Sequence, residues 1–250
     1  MNPIQRIIDF ASGPIELPPA VRADALRLLA DTLAVGAAGA ASAEAEPIAR
    51  AVVGWGAGTE ARSLAGGTLP CPSAAFFNAF SIHCLEWDAV HEPAVVHALS
   101  VVTAALLASS DRLGGSTTDA FLTALAVGVD IASGLGLSAA GGMRFFRPAT
   151  AGIIGATLAV ARLEGLDPAR MTNAVGLAYS FLSGTMQAHV EASTALPIQI
   201  ANAARGAIMA NDLAKAGVDG PHDILTGPFG YDALIEPIQL EDYLASLGRV

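Results

Sequence analysis

The stretch from Pro18 to Ala38, PPAVRADALRLLADTLAVGAA, decides the fold class. A proline pair can open a helix, because the first helical N–H has no intrahelical partner to lose. Val21, Leu26, Leu29, Leu33 and Val35 then recur at helical spacing, so a helix with one apolar face is expected from about Ala20 to Ala38. The pattern continues in both directions. Asn2–Ala11 reads as a short amphipathic helix carrying Ile4, Ile7, Ile8 and Phe10, and Ser42–Trp55 as a third helix that Ser42 can cap. Gly56–Pro72, rich in Gly, Thr and Pro, reads as a loop. Further helices are expected over Ser73–Trp87, Val95–Ser109, Thr117–Leu135, Thr150–Gly165, Pro168–Ser183 and Ala195–Ala216, with Asp167-Pro168 and Gly217 as start and stop signals. The tail Gly227–Val250 reads as a turn, an extended piece around Ile235–Pro237 and a short helix near Leu240–Leu247. With no repeat and no long linker, residues 1–250 are expected to form one helical domain.

Composition supports the same class. Hydrophobic residues make up 53% of the 250-residue chain and charged residues 14%, with only nine Phe, three Tyr and two Trp. An alanine-rich, aromatic-poor chain favours closely packed helices over a β-sandwich, so an all-α, bundle-like globular domain is expected. The mean hydropathy of +0.52 raises the question of a membrane. The uncharged run Ala94–Ser110 contains His97 and much Ala, Ser and Thr, and Phe121–Met143 is broken by Asp130 and glycines. Buried core helices fit both better than spans do. Nucleic acid is excluded as a partner: the net charge is −10, and the 13 cations, of which Lys215 is the one lysine, are scattered. Cys71 and Cys84 form no CxxC pair and read as small buried hydrophobes in a reducing cytoplasm. Arg6, Asp9 and Glu16 make the first residues unlike a signal peptide, so a cytoplasmic location is expected.

Ionisable side chains gather in one place. Between His83 and His97 lie three of the five histidines, His83, His91 and His97, and three acids, Glu86, Asp88 and Glu92. Imidazoles and carboxylates at a helix end are what proton transfer needs, since it requires a group titrating near neutrality within reach of substrate. Solvated loop residues with a helix cap are the other reading. His-x-x-Glu and Asp-x-x-His could offer metal ligands, but no second cluster completes a site, and neither metal nor cofactor is expected. His189 and Glu191 form a second polar group beside the capping candidates Ser193 and Thr194. His222, next to Asp223, reads as surface.

The run Phe77-Asn78 to His83, then Glu86-Trp87-Asp88-Ala89-Val90-His91 and His97-Ala98, resembles the signature of the MmgE/PrpD family. Pro148–Gly152, Ala161–Asp167, Ser183–Met186, Ile200–Arg205 and Gly227–Tyr231 resemble later family elements in the same order. The resemblance implies a helical N-terminal half, a homodimer, and metal-free chemistry on small polycarboxylates in which a proton next to a carboxylate is removed or moved. It also implies a smaller α+β lid domain, which these 250 residues are not expected to contain; residues 227–250 would be a remnant of the crossover to it, or the lid would be a separate partner.

Carried over position by position, the family's acids fall on Glu86 and Asp88, and its histidine on His97. A threonine falls on Val90, a second histidine on Phe146 or Arg147, and a lysine on Leu196. The expected catalytic group is therefore His97, oriented or balanced by Glu86 or Asp88, with His189 in support. Trp87, Val90, His91, Phe146, Arg147 and Leu196 are expected around the ligand. A site that has exchanged Lys, Thr and His for apolar residues loses the donors that offset the desolvation of a polyanion. The expected ligand is a larger, less charged small molecule, held by arginines such as Arg144 and Arg147 where it needs a cation. A lyase or isomerase follows; a non-catalytic pseudoenzyme or split-enzyme subunit is the alternative.

Overall fold

Residues 2–249 of the computed structural model fold into twelve α-helices and one two-stranded ribbon. The first half runs α1 (Pro3–Ser12), α2 (Pro19–Ala40), α3 (Ala45–Val53), the antiparallel strands β1 (Ala61–Arg62) and β2 (Thr68–Leu69), and α4 (Cys71–His83). It continues with α5 (Ala98–Arg112), α6 (Thr118–Leu137), α7 (Arg147–Leu163) and α8 (Pro168–Ser180). The short α9 (Gln187–Val190) precedes the long α10 (Ala195–Lys215), and α11 (Tyr231–Leu234) and α12 (Glu241–Ala245) close the chain. The domain is all-α, as its composition and periodicity require.

Helix starts follow local chemistry. Asn2, Thr117 and Asp167 accept hydrogen bonds from first-turn N–H groups of α1, α6 and α8. Ser42 does not cap α3: Glu44 holds the cap position without a side-chain bond, and the Ser42 hydroxyl lies 3.9 Å from Cys84 Sγ instead. The expected loop 56–72 contains the β1–β2 ribbon, tied down by Arg62 and Asp111. The helix expected to reach Trp87 stops at His83, because Glu86 adopts a left-handed backbone (φ 52°) that ends it.

The core is a stack of helices in which α7 is central, buried from Arg147 to Ala161 and packed against α5, α6, α8 and α10. The pairing of α10 with α4 carries a second cluster of Phe76, Phe77 and Phe80 with Val52 and Ala201. Small residues set how closely these helices cross. A Cβ on Gly155 would lie 2.3 Å from the Gly128 carbonyl oxygen, so α6 and α7 meet backbone to backbone. α6 is long and apolar enough to cross a membrane, with a mean hydropathy of 1.8, but 72% of that window is buried inside the bundle. Here it serves as a core helix.

The tail folds back onto this core. Tyr231 is buried with its hydroxyl 3.0 Å from Thr150 Oγ1, and Ile238 forms a bridge with Ala139. The expected extended piece leads into that bridge.

Gly155→Ala should destabilise the domain by about 1–3 kcal/mol, the range for overpacking a closed interface. Gly142→Ala is the control: it is exposed, nothing lies within 4 Å of its added Cβ, and its unfolding midpoint should match wild type. Urea unfolding of both variants checks the pair, and equal midpoints would refute backbone contact at the α6–α7 crossing.

Candidate active site

Three turns of chain bring the ionisable cluster together. α4 is buried almost throughout and delivers His83 at its last position, 1% exposed. The chain reverses at Glu86, returns Asp88 beneath His83, and makes a 3₁₀ turn over Glu92–Ala94 closed by a His91–Val96 bridge. Val95, again left-handed (φ 52°), redirects it so that His97 occupies the N-cap position of α5, with Ser100 in the following turn. A β-branched residue with positive φ is a backbone outlier. Among the described residues the non-glycine positive φ values are at Glu86, Val95 and Ala192. All three border this site, and such strain concentrates where function fixes geometry.

Asp88 is the centre. Its side chain is fully buried. His83 Nδ1 lies 3.1 and 3.0 Å from the two carboxylate oxygens, and the Ser100 hydroxyl donates to Oδ2. His97 Nδ1 sits 3.2 Å from Oδ2, at ion-pair distance but off the hydrogen-bond axis. The two imidazoles meet edge-on, centroids 4.9 Å apart. Burial pushes the Asp88 carboxyl up, but the two histidines outweigh it and hold it well below the usual carboxylate range. Burial likewise pulls His97 down, while contact with Asp88 and the charge of Glu86 leave it above its ordinary 6.5. His97 keeps 21% of its side chain exposed, so one imidazole joins a buried carboxylate to the outside.

The sequence pointed to Asp88 and His97, counted His83 in the cluster without giving it a role, and left out Ser100. Two spacings carried the signal: a histidine at the end of a helix five residues before the acid, and a serine three residues after His97 on the same face. His83, Asp88 and His97, not the Asp88–His91 pairing, are the residues that could hold a metal ion, with donor atoms within 4.8 Å of one another. Two histidines and a carboxylate suit a first-row transition metal. Such an ion would have to displace the protons through which His83 and Ser100 already hold Asp88.

Beside this cluster lies a cavity of about 370 Å³ lined by Glu44, Cys84, Glu86, His189, Leu196 and Pro197, with Ser193 and Thr194 at the start of α10. It lies where the acid-bearing turn meets the start of α10; His83, Asp88 and His97 are not among its lining residues, and its wall is more polar than expected. Leu196 reaches it, whereas Val90 is half exposed on the outer turn and Phe146 is buried against the His83 ring, 5.9 Å away. Trp87, 69% exposed, also stays outside the wall. His91 is spent on structure, its Nδ1 accepting from the Ala94 N–H. Cys84 is not buried as expected; it lines the cavity and is only partly covered.

Arg147 is not free to hold a ligand carboxylate. Its Nε and Nη2 grip Glu236, and Nη1 donates to the Ala94 carbonyl at 2.9 Å. Arg144 is exposed and absent from the cavity wall. No sequence signal announced Glu236, a lone acid 89 residues away in the run Ile235-Glu-Pro-Ile238.

Asp88→Asn should lower the melting temperature most between about pH 4 and 6.5. A carboxyl held below its ordinary 3.8 stabilises above that pH, and an imidazole held above its ordinary 6.5 stabilises below that pH and loses this as pH rises through its folded value. Melting curves of both proteins against pH check this. A difference that does not narrow above pH 7 would refute the Asp88–His97 pair.

The MmgE/PrpD N-terminal domain matches residues 12–240. Human cis-aconitate decarboxylase is 31% identical over 172 residues, covering 66% of this chain and 35% of that enzyme. The chain thus matches about a third of the length of this relative. A domain match across nearly the whole chain, together with an all-α fold, shows that the protein belongs to the MmgE/PrpD family.

Proposed function

We propose that this domain is a divergent lyase or isomerase that moves a proton next to a carbonyl without a metal, with His97 as general acid–base and Asp88 as the group that orients it. The observation that carries this reading is the exposed edge of an imidazole whose Nδ1 rests on a buried, ionised carboxylate. With Nδ1 turned to Asp88, Nε2 is the nitrogen left for substrate. It takes the proton from the carbon beside the carbonyl, and Asp88 stabilises the imidazolium that results. The same proton then returns to a neighbouring carbon or to the leaving group. His83 and Ser100 are positioning residues that hold Asp88. The human relative is by name a decarboxylase, which supports lyase chemistry.

The charge of the cavity supports a ligand less anionic than a polycarboxylate. Glu44 and Glu86 line it and no lysine or arginine does. Lys215 is tied to Glu164 and Asp212, and Arg147 to Glu236.

His97→Asn should lower turnover about 10²–10⁴-fold, the usual worth of a general acid–base group, with an unchanged melting temperature. The assay is NMR-detected deuterium incorporation from D₂O into a panel of β-hydroxy and α,β-unsaturated mono- and dicarboxylates. Retained turnover in the variant would overturn the assignment, and loss of wild-type activity after EDTA dialysis would overturn the metal-free part.

One observation favours a second reading, a subunit whose site is completed by another polypeptide or by its own copy. Trp87, Val90 and Val190, around the turn and the His189 helix, are 69%, 50% and 75% exposed. Exposed apolar groups beside a site mark interfaces. We take the assembly to be a homodimer, to be checked by light scattering; a monomer that turns over substrate would refute both the dimer and the shared site.

A further inference from the structure

A second hollow, of about 440 Å³, lies where the end of α1, the start of α6 and the α7–α8 turn meet, and shares no lining residue with the cavity beside His97. We propose that it binds a small aliphatic monocarboxylate anchored by Arg162.

The argument begins with charge. Arg22, Arg27, Arg50, Arg62, Arg112, Arg147 and Arg170 each have a carboxylate partner. Arg162, like Arg6, Arg144, Arg205 and Arg249, has none among the described residues, and of these five it alone lines this hollow. Its Nη1 donates to the Ala11 and Gly13 carbonyls at 2.6 and 2.9 Å, closing the end of α1. That leaves Nε and Nη2 of a five-donor fork without an acceptor among the described residues. Burial lowers its pKa with nothing opposing. A partly buried guanidinium that meets only carbonyl dipoles retains charge for an anion to neutralise.

The hollow contains one acid, Asp119, whose carboxylate is already paired with Arg22 at 3.0 Å. The two charges cancel and Arg162 supplies the excess. The Ser12 and Thr123 hydroxyls already donate to the Asp9 and Asp119 carbonyls, so Arg162 is the anchor, while buried Leu166 and Met171 line an apolar part suited to a short hydrocarbon chain. The volume falls in the range of small-molecule sites. A planar carboxylate matches the guanidinium fork better than a neutral polar group does.

Titration of ¹⁵N-labelled full chain with butyrate tests this, with butyramide as the uncharged isostere. Butyrate should shift the amides of Ser12, Thr123, Gly165, Leu166 and Met171, and butyramide should bind at least tenfold more weakly. Arg162→Gln should weaken butyrate at least tenfold. Because that variant also removes bonds to the end of α1, Ala120→Phe serves beside it: it fills the hollow from the exposed face of α6, leaves Arg162 in place, and should weaken butyrate to the same degree. His97→Asn should bind butyrate like wild type. Equal binding of butyrate and butyramide, butyrate shifts insensitive to Ala120→Phe, or shifts centred on the His97 cavity would each overturn the proposal.

Discussion

A single buried negative charge organises the centre of this domain. The Asp88 carboxylate has no solvent exposure, and an ionised carboxylate in a protein interior is tolerated only when donors replace its water. The donors come from the end of α4 (His83) and the first turn of α5 (Ser100), and the imidazole at the N-cap position of α5 (His97) lies at ion-pair distance. One charge therefore fixes where α4 stops, where α5 begins, and how the chain between them must turn. Removing a partner from such a set typically costs about 3–5 kcal/mol, more than the strain of the turn it stabilises. A left-handed backbone at a residue such as Val95 costs roughly 1–3 kcal/mol and persists only where the surroundings over-determine it.

Those surroundings include a brace from the far side. Arg147 sits at the start of α7, where the helix dipole disfavours a cation. It is held there by Glu236, and its third contact goes to the Ala94 carbonyl, in the residue before the strained Val95. Gly136 lets α6 approach the same turn, since a Cβ there would come within 2.8 Å of Ala94. The tail, α7 and the 3₁₀ turn thus share one ion pair, and the histidine-bearing loop is clamped between it and Asp88.

The helices were legible because their signal is local. A period of 3.6 in Val21, Leu26, Leu29 and Leu33 needs no tertiary information. Element ends were less legible where tertiary contacts set them: α4 stops at His83 because Asp88 must turn back, and Ser42 forgoes its cap for a place beside Cys84. In the site, the clustering of His and acid was visible but the choice of partners was not. His91 and His83 look equally available to Asp88 in sequence, and only the fold commits His91 to the Ala94 N–H. Phe146 and Val90 were read as cavity wall because matching positions suggested it, yet one packs on an imidazole and the other faces outward. The surroundings of Arg162 were invisible for a simpler reason: they come from residues 12, 123, 162 and 171, which no spacing connects.

The electrostatics of the proposed chemistry follow from the same carboxylate. Asp88 and the imidazolium formed when His97 takes a proton cancel, so the catalytic pair loses its net negative charge only in that step. Outside it stand Glu44 and Glu86 with no lysine or arginine in the wall. At an effective dielectric near 20, like charges a few ångströms apart repel by roughly 2–4 kcal/mol. Each ligand carboxylate entering the cavity would meet that repulsion and lose its hydration as well. His97 must be neutral to accept a proton, so it offsets none of this charge, and the Asp88 carboxylate adds to it. A substrate with one carboxylate or none fits this balance, and its carbonyl is then the group that makes the neighbouring proton acidic enough for His97 to remove.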